Sequence, residues 1–172
     1  MKIAVIFANG TEEIEAITPV DVLRRADVDC HIISVNGEYP VGSHGITLKA
    51  DGISENFDMD DYDGIVIPGG MPGAVNIAND EHVIKALNKA NKDKKMIASI
   101  CASPAVVLEP LGILDGRKAT CFNAPVFVEK LGKSFTGKGV EIDGHVITAN
   151  GPKSALDFAL EICKYLNLKP KI

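Results

Sequence analysis

The sequence has no tryptophan and few aromatic residues, which make up 5% of its 172 residues. It also has no cluster of lysine and arginine, and its formal net charge is −5. Nucleic acids and anionic membrane surfaces both attract a basic face, so this charge balance argues against either as the main partner. We therefore expect a small molecule or another protein as the partner, with no nucleic acid binding.

No segment approaches the run of about 20 apolar residues that a membrane-spanning helix needs. The N-terminus enters a strand-like run directly, without a basic leader or a small-residue cleavage site. We therefore expect a cytoplasmic protein with no membrane segment. The chain is long enough, at 46% apolar residues, for one core and too short for two full-sized domains. Residues 1–172 are predicted to form a single domain.

The cysteines show none of the short spacings found in zinc-binding motifs. They lie far apart, with no histidine at metal-ligand intervals, at Cys30, Cys101, Cys121 and Cys163. We expect no metal site and no organic cofactor. In a reducing cytoplasm, each thiol is either a small buried side chain or a reactive centre.

Short β-rich runs alternate with segments of helical periodicity, a pattern typical of a parallel sheet flanked by crossover helices. The predicted strands are Lys2–Ala8, Cys30–Val35, Gly64–Ile67, Lys95–Ile100, Lys118–Cys121 and His145–Ala149. The predicted helices are Glu12–Ala26, Glu81–Asn91, Pro104–Leu108, Pro125–Leu131 and Ser154–Leu166. Tyr39–Asp51 is predicted to form a small hairpin outside the sheet, and Asp58–Asp63 a solvated acidic loop. The predicted fold class is α/β, with a doubly wound, mostly parallel sheet.

One cysteine falls where a predicted strand meets a predicted helix. Cys101 directly follows a strand, and Pro104 suits the first turn of a helix with Ser103 as its cap. This arrangement is typical of a nucleophile elbow, which lifts the side chain clear of the sheet and points free helix N–H groups at it. Such N–H groups favour the thiolate. Cys101 is therefore the candidate nucleophile, and a buried structural cysteine is the alternative.

A pair of glycines follows another strand at the same predicted edge of the sheet. Gly69 and Gly70 have no Cβ, so their backbone can turn sharply and present an N–H group, as an oxyanion hole requires. Gly70 and Ala102 are the candidate oxyanion donors, with Gly69 as an adjacent binding position. An ordinary β-turn is the alternative.

Three acidic residues open the first predicted helix. Negative charge is favourable at a helix N-terminus for electrostatic reasons alone, which accounts for two of the three. Glu12 and Glu15 share a helix face, whereas Glu13 points elsewhere. A protonated carboxyl close to Cys101 would donate a hydrogen bond that stabilises the thiolate. Glu15 is therefore the candidate acid/base partner.

The histidines lack the spacing of a catalytic triad. An acid two residues after the histidine is absent at all four positions, namely His31, His44, His82 and His145. This weakens the reading of the chain as an ordinary Cys-His hydrolase.

Several of these segments occur together, and in this order, in one known family. The chain resembles the ThiJ/PfpI superfamily, and more narrowly its DJ-one branch, which includes the Parkinsonism-associated deglycase. The segments that carry the resemblance are Gly10–Glu15, Pro19–Ala26, Pro68–Gly70 and Ile100–Pro104. The resemblance implies a flavodoxin-like fold related to class I glutamine amidotransferases, and a homodimer. It also implies that Cys101 is a nucleophile and oxidation-sensitive thiol, Glu15 its protonated partner, and Gly70 and Ala102 the oxyanion donors.

The resemblance further implies chemistry on a small reactive aldehyde or dicarbonyl. Activities of the family include a glutathione-independent glyoxalase reaction, which turns methylglyoxal into lactate, and a disputed deglycase repair. We expect a cofactor-free enzyme in which Cys101 adds to the aldehyde carbon and Glu15 moves protons. The alternative is a peroxide-responsive redox sensor or chaperone-like protein without significant turnover.

Two positions depart from the family pattern. Phe122 stands where the Parkinsonism-associated protein has a histidine near the cysteine, so proton transfer must come from elsewhere. His44 stands approximately where the family has an arginine that reaches the partner's active site. We hypothesise that His44 approaches Cys101 of the partner subunit, with a solvated loop histidine as the alternative. Cys121 is expected near the site, where oxidation would pair it with Cys101, or else as a buried thiol.

Overall fold

A computed structural model describes residues 1–172 and shows a seven-stranded sheet with helices on both faces. The strands are β1 (Lys2–Phe7), β2 (Asp29–Ser34), β3 (Gly52–Ile53), β4 (Gly64–Ile67), β5 (Met96–Ile100), β6 (Val140–Asp143) and β7 (Val146–Ala149). The α-helices are α1 (Glu13–Arg25), α2 (Gly73–Ala78), α3 (Glu81–Lys92), α4 (Pro125–Leu131) and α5 (Ala155–Tyr165). None of the helices is long and apolar enough to cross a lipid bilayer.

The strand order places three chemically unusual loops side by side. The order is β3-β2-β1-β4-β5-β7-β6, and every neighbouring pair is parallel except β6 and β7. The chain leaves β1 toward one side of the sheet and returns to build the other side from β4, so the order reverses between these two strands. Ligands of open parallel sheets bind at such a reversal, beyond the carboxyl ends of the strands. The loops after β1, β4 and β5 meet at this edge.

Two apolar clusters of similar size hold the sheet between its helices. On one face, 22 buried residues include Ile3, Val5 and Phe7 of β1 together with side chains of α1 and α5. On the other face, 23 buried residues include Ala4 and Ile6 of β1 together with side chains of α2 and α3. Successive residues of a strand point to opposite faces. The continuous apolar run of β1 therefore marks a strand that is covered on both sides.

The fifth predicted strand, Lys118–Cys121, is not a strand. Only Ala119 makes a β-bridge, with Phe135, and the N–H of Thr120 donates to the side-chain oxygen of Thr148 instead of a ladder carbonyl. The sheet continues instead from β5 through β7 to β6, an antiparallel strand that was not predicted from the sequence.

Helix α1 runs through a proline without interruption. The sequence predicts a kink or a restart at Pro19 with Thr18 as the cap, but α1 is one helix from Glu13 to Arg25. No restart occurs. Pro19 lacks an N–H group, and its ring lies in the buried set of the helix.

Three local predictions change in detail. The predicted hairpin Tyr39–Asp51 lies outside the main sheet but is reduced to a single antiparallel bridge between Val41 and Thr47. Within the acidic loop Asp58–Asp63, a 3-10 turn buries the side chain of Met59. The predicted helix Pro104–Leu108 is a π-helix, closed by a hydrogen bond from the Glu109 N–H to the Pro104 carbonyl.

Candidate active site

Cys101 lies on the corner between β5 and the π-helix, in a backbone conformation that residues with a Cβ seldom adopt. Its φ angle is +67°, in the left-handed region, where the Cβ crowds the backbone. The Cys101 N–H donates to the Ala149 carbonyl at 2.9 Å, and the Phe122 N–H donates to the Cys101 carbonyl at 2.7 Å. These bonds hold the side chain partly exposed at the carboxyl end of the sheet. The local geometry is that of a nucleophile elbow.

Ser103 ties this corner to the glycine loop after β4. Its side chain makes no capping hydrogen bond, and its buried hydroxyl donates to the Pro68 carbonyl at 2.6 Å. The prediction that Ser103 caps the following helix was therefore wrong. A capping residue needs non-helical dihedral angles, whereas Ser103 is itself helical, with φ −67° and ψ −32°.

Glu15 is completely buried next to the glycine loop. Its Oε2 accepts a hydrogen bond from the Gly69 N–H at 2.8 Å, and its Oε1 has no conventional hydrogen-bond partner. A Cβ added at Gly69 would lie 2.6 Å from the Cβ of Cys101 and 2.7 Å from Oε2 of Glu15. The side chains of Cys101 and Glu15 therefore leave no room for a side chain at Gly69. The Gly69 N–H anchors the carboxyl of Glu15.

Burial makes both the thiol of Cys101 and the carboxyl of Glu15 harder to ionise, and contact between the two groups couples their protonation. Burial raises the pKa of Glu15 to about 7, against the opposing effects of the Cys101 thiol and the Gly69 N–H. Burial, followed by the negative charge of Glu15, raises the pKa of Cys101 to about 12. A thiolate at neutral pH therefore requires that Glu15 hold the proton, so the two groups titrate as a coupled pair.

Two backbone N–H groups face the sulfur. Those of Gly70 and Ala102 both lower the pKa of Cys101, although burial and Glu15 outweigh them. Gly70 has a φ angle of +92°, a conformation that glycine adopts readily. These are the two N–H groups that the sequence analysis names as oxyanion donors, and both are placed to receive negative charge at the sulfur or at an atom bonded to it.

Replacing Gly70 with alanine should lower the free energy of unfolding by about 2–4 kcal/mol. The added Cβ would meet backbone atoms, lying 2.6 Å from the Gly10 carbonyl oxygen and 3.0 Å from the Thr11 carbonyl carbon. Alkylation of Cys101 by iodoacetamide should also slow, because the displaced loop no longer offers its N–H to the sulfur. Urea unfolding and peptide mass spectrometry measure the two effects.

Gly37→Ala is the matched control for this prediction. Gly37 also has a positive φ angle, +79°, but an added Cβ would meet nothing within 4 Å. Its replacement should cost only the conformational penalty of about 1–2 kcal/mol. Equal losses of stability in the two variants would contradict the crowding at Gly70.

The other two acidic residues at the start of α1 meet His44 of the Val41–Thr47 loop. Both oxygens of Glu13 accept hydrogen bonds there, Oε1 from the backbone N–H of His44 at 2.8 Å and Oε2 opposite Nδ1 of His44 at 3.0 Å. Burial opposes ionisation of Glu13, but the hydrogen bonds lower its pKa overall. The hydrogen bond to Glu13, followed by the charge of Glu12, raises the pKa of His44. No local sequence pattern indicates this anchor, because the contact joins residues 31 positions apart.

Phe122 and Cys121 point in different directions. Phe122 is 43% exposed and borders a cavity of about 520 Å³ that also touches Asn150 and Lys153. Cys121 is fully buried in the apolar cluster on the opposite face of the sheet from the cluster that Cys101 contacts. Of the two alternatives predicted for Cys121, the structure shows the buried thiol. Burial raises the pKa of its thiol to about 11.

Comparisons with known proteins agree with this architecture. Residues 1–165 match the model of the DJ-1/PfpI family. A solved structure, oxidized DJ-1 of Toxoplasma gondii, superposes with a TM-score of 0.92 at 37% identity, covering 96% of this chain and 90% of that one.

Two relatives differ in how much of their own length this chain covers. Protein DJ-1 homolog B of Arabidopsis thaliana is 36% identical over 99% of this chain, which spans only 39% of the plant protein. A Thermococcus kodakarensis protein named as a deglycase is 27% identical, covering 96% of this chain and 99% of that protein. The sequence motifs, the seven-stranded fold and the family match agree, and they confirm the flavodoxin-like fold: the chain belongs to the DJ-1/PfpI family.

Proposed function

We propose that this protein is a cysteine-dependent, cofactor-free enzyme that converts small reactive dicarbonyls into hydroxy acids. Cys101 is the nucleophile and Glu15 carries protons. The relative from Thermococcus kodakarensis that is named as a deglycase supports this class of activity. The observation that carries the proposal is the fully buried Glu15 carboxyl beside the partly exposed thiol of Cys101.

The first step is addition of the thiol to the aldehyde carbon of methylglyoxal. A sulfur–carbon bond forms, the carbonyl π pair moves to oxygen, and the thiol proton passes through Glu15 to that oxygen. The product is a hemithioacetal. The N–H groups of Gly70 and Ala102 stabilise the oxygen while it carries negative charge.

The second step oxidises one carbon and reduces its neighbour. Glu15 removes the proton from the hemithioacetal carbon and returns it to the adjacent carbon, while the hydroxyl proton moves to the ketone oxygen. The result is a thioester of a 2-hydroxy acid. Water then cleaves the sulfur–carbon bond, which releases lactate and regenerates the thiol. The overall reaction adds one water to methylglyoxal and needs no external oxidant or reductant.

The purified protein should convert methylglyoxal into lactate without glutathione, also after treatment with EDTA. Enzymatic detection of lactate measures the product, and mass spectrometry of Cys101 before and after the assay reports the state of the thiol. Lactate formation no faster than in a protein-free solution, with Cys101 reduced throughout, would contradict the proposal.

A redox sensor is the second candidate function. The solved relative from Toxoplasma gondii is described as oxidized, and Cys101 is the one partly exposed thiol here, since the other three cysteines are buried. Rapid peroxide oxidation of Cys101 to the sulfinate, together with negligible lactate formation, would favour the sensor over the enzyme.

The homodimer and the cytoplasmic location stay predictions. The exposed apolar side chains of Ile14 and Ile17 on α1, which are 53% and 41% exposed, support association through this helix. An approach of His44 to Cys101 of the partner subunit likewise stays a prediction. Within one chain, His44 contacts Glu12 and Glu13.

A further inference from the structure

We propose that Glu12, Glu13 and His44 form a binding site for a late first-row divalent cation such as Zn²⁺. One donor atom from each of the three side chains lies within 4.8 Å of the others. The set contains no cysteine, so the cysteine spacings of the sequence do not bear on it. It is also separate from the proposed reaction, which uses Cys101 and Glu15.

The two separations between His44 and the carboxylates are close to those around a tetrahedral metal. Zn²⁺ binds imidazole nitrogen and carboxylate oxygen at about 2.0–2.2 Å, so two ligands of a tetrahedral site lie about 3.3–3.6 Å apart. Nδ1 of His44 is 3.0 Å from Oε2 of Glu13 and 3.5 Å from Oε1 of Glu12. Both distances lie within a few tenths of an ångström of the tetrahedral values, and the donor atoms of the two carboxylates lie within 4.8 Å of each other.

The Glu13 carboxylate is oriented before any ion binds. Glu13 is 6% exposed, and its Oε1 accepts hydrogen bonds from the backbone N–H groups of His44 at 2.8 Å and Ile46 at 3.4 Å. These bonds leave Oε2 turned toward the imidazole. Hydrogen bonds from the second shell orient metal ligands in this way and raise metal affinity. A Cβ at Gly42 would overlap the Glu13 carboxylate, so the loop closes tightly around this ligand.

The donor set selects the class of ion. One imidazole and two carboxylates suit Zn²⁺, Co²⁺ or Ni²⁺, whereas Mg²⁺ and Ca²⁺ prefer shells of oxygen alone. Two carboxylates and a neutral imidazole give a charge of −2, which a divalent cation neutralises. The His44 side chain is 68% exposed, so an ion can enter from solvent and keep a water as its fourth ligand.

Titration with CoCl₂ tests the site, because tetrahedral Co²⁺ absorbs strongly in the visible range. Wild type should bind one equivalent, and ZnCl₂ should displace it. His44→Asn and Glu12→Gln should each weaken binding about tenfold or more, since each removes a ligand. Glu12 makes no other side-chain hydrogen bond or ion pair, so its variant should fold normally. His31→Asn, which alters a second histidine–carboxylate pair formed with Asp29, should bind Co²⁺ like wild type.

Cys101→Ser distinguishes this site from metal capture by the thiol. The variant should bind Co²⁺ with unchanged affinity and without the near-ultraviolet charge-transfer band of a thiolate ligand. Loss of binding in Cys101→Ser, or unchanged binding in both His44→Asn and Glu12→Gln, would overturn the proposal. No visible absorption from any of the proteins would overturn it as well.

Discussion

Replacing Cys101 with alanine should reduce lactate formation from methylglyoxal by at least about 1,000-fold, because no other thiol is positioned to form the carbon–sulfur bond. Cys30, Cys121 and Cys163 are buried, and burial raises the pKa of each. The same variant should lose peroxide-dependent sulfinate formation at this position. Rates of lactate production, normalised to the folded fraction from circular dichroism, measure the effect.

Cys101→Gly serves as the control that separates chemistry from backbone strain. Glycine removes the thiol as alanine does, but it also relieves the left-handed conformation at φ +67°. The free energy of unfolding of the glycine variant should therefore be about 1 kcal/mol larger than that of the alanine variant. Both variants should be equally inactive. Activity comparable to wild type in either one would exclude Cys101 as the nucleophile.

Replacing Glu15 with glutamine should stabilise the protein at pH 8 and inactivate it. Burial raises the pKa of Glu15 from 4.5 to about 7, so between these values the folded state holds a proton that the unfolded chain has released. The contribution of Glu15 to the free energy of unfolding therefore falls as pH rises from 4.5 to 7 and stays low above that. At 1.4 kcal/mol per pH unit, the difference is about 3 kcal/mol.

The neutral glutamine avoids this penalty. Glu15→Gln should be about 3 kcal/mol more stable than wild type at pH 8 and nearly equal to it at pH 4. Lactate formation should fall by about 100-fold or more, because the amide cannot carry protons. Urea unfolding at several pH values and the lactate assay measure the two effects.

Glu13→Gln is the matched control, because Glu13 lies two residues from Glu15 and its pKa is shifted in the opposite direction. The hydrogen bonds to Glu13 lower its pKa, so its carboxylate stabilises the folded state above the pKa of the unfolded chain. This stabilisation is lost as pH falls through the lower pKa of the folded state. Glu13→Gln should therefore destabilise the protein at pH 7. If both substitutions changed the free energy of unfolding in the same direction at pH 7, the environments assigned to the Glu13 and Glu15 carboxyls would be contradicted.

The central sheet could be predicted from the sequence because its strands carry their own signal. The apolar run of β1 is buried on both faces, and β4 and β5 show the same pattern. The corner at Cys101 was also predictable, since a strand ends there and Pro104 follows in the first turn of a helix. In both cases residues near each other in sequence supply the signal.

Features that depend on distant contacts could not be predicted. Only tertiary pairing decides that Val140–Asp143 joins the sheet and that Lys118–Cys121 does not. The sequence placed Glu15 near the site by its helix face, but it gave no sign that Gly69 would anchor the carboxyl across 54 residues. Which side of the sheet receives Cys121 is likewise set by packing.

The two short strands at the margins of the sheet limit how copies of this protein can join. At one margin β3 has only two residues, and at the other β6 has four, among them Glu141 and Asp143. A strand from a second molecule would gain few backbone hydrogen bonds at either margin, and at β6 it would also meet two acidic residues. Fibril-like growth by strand addition is thus discouraged at both ends, which leaves the helical surfaces for any stable association.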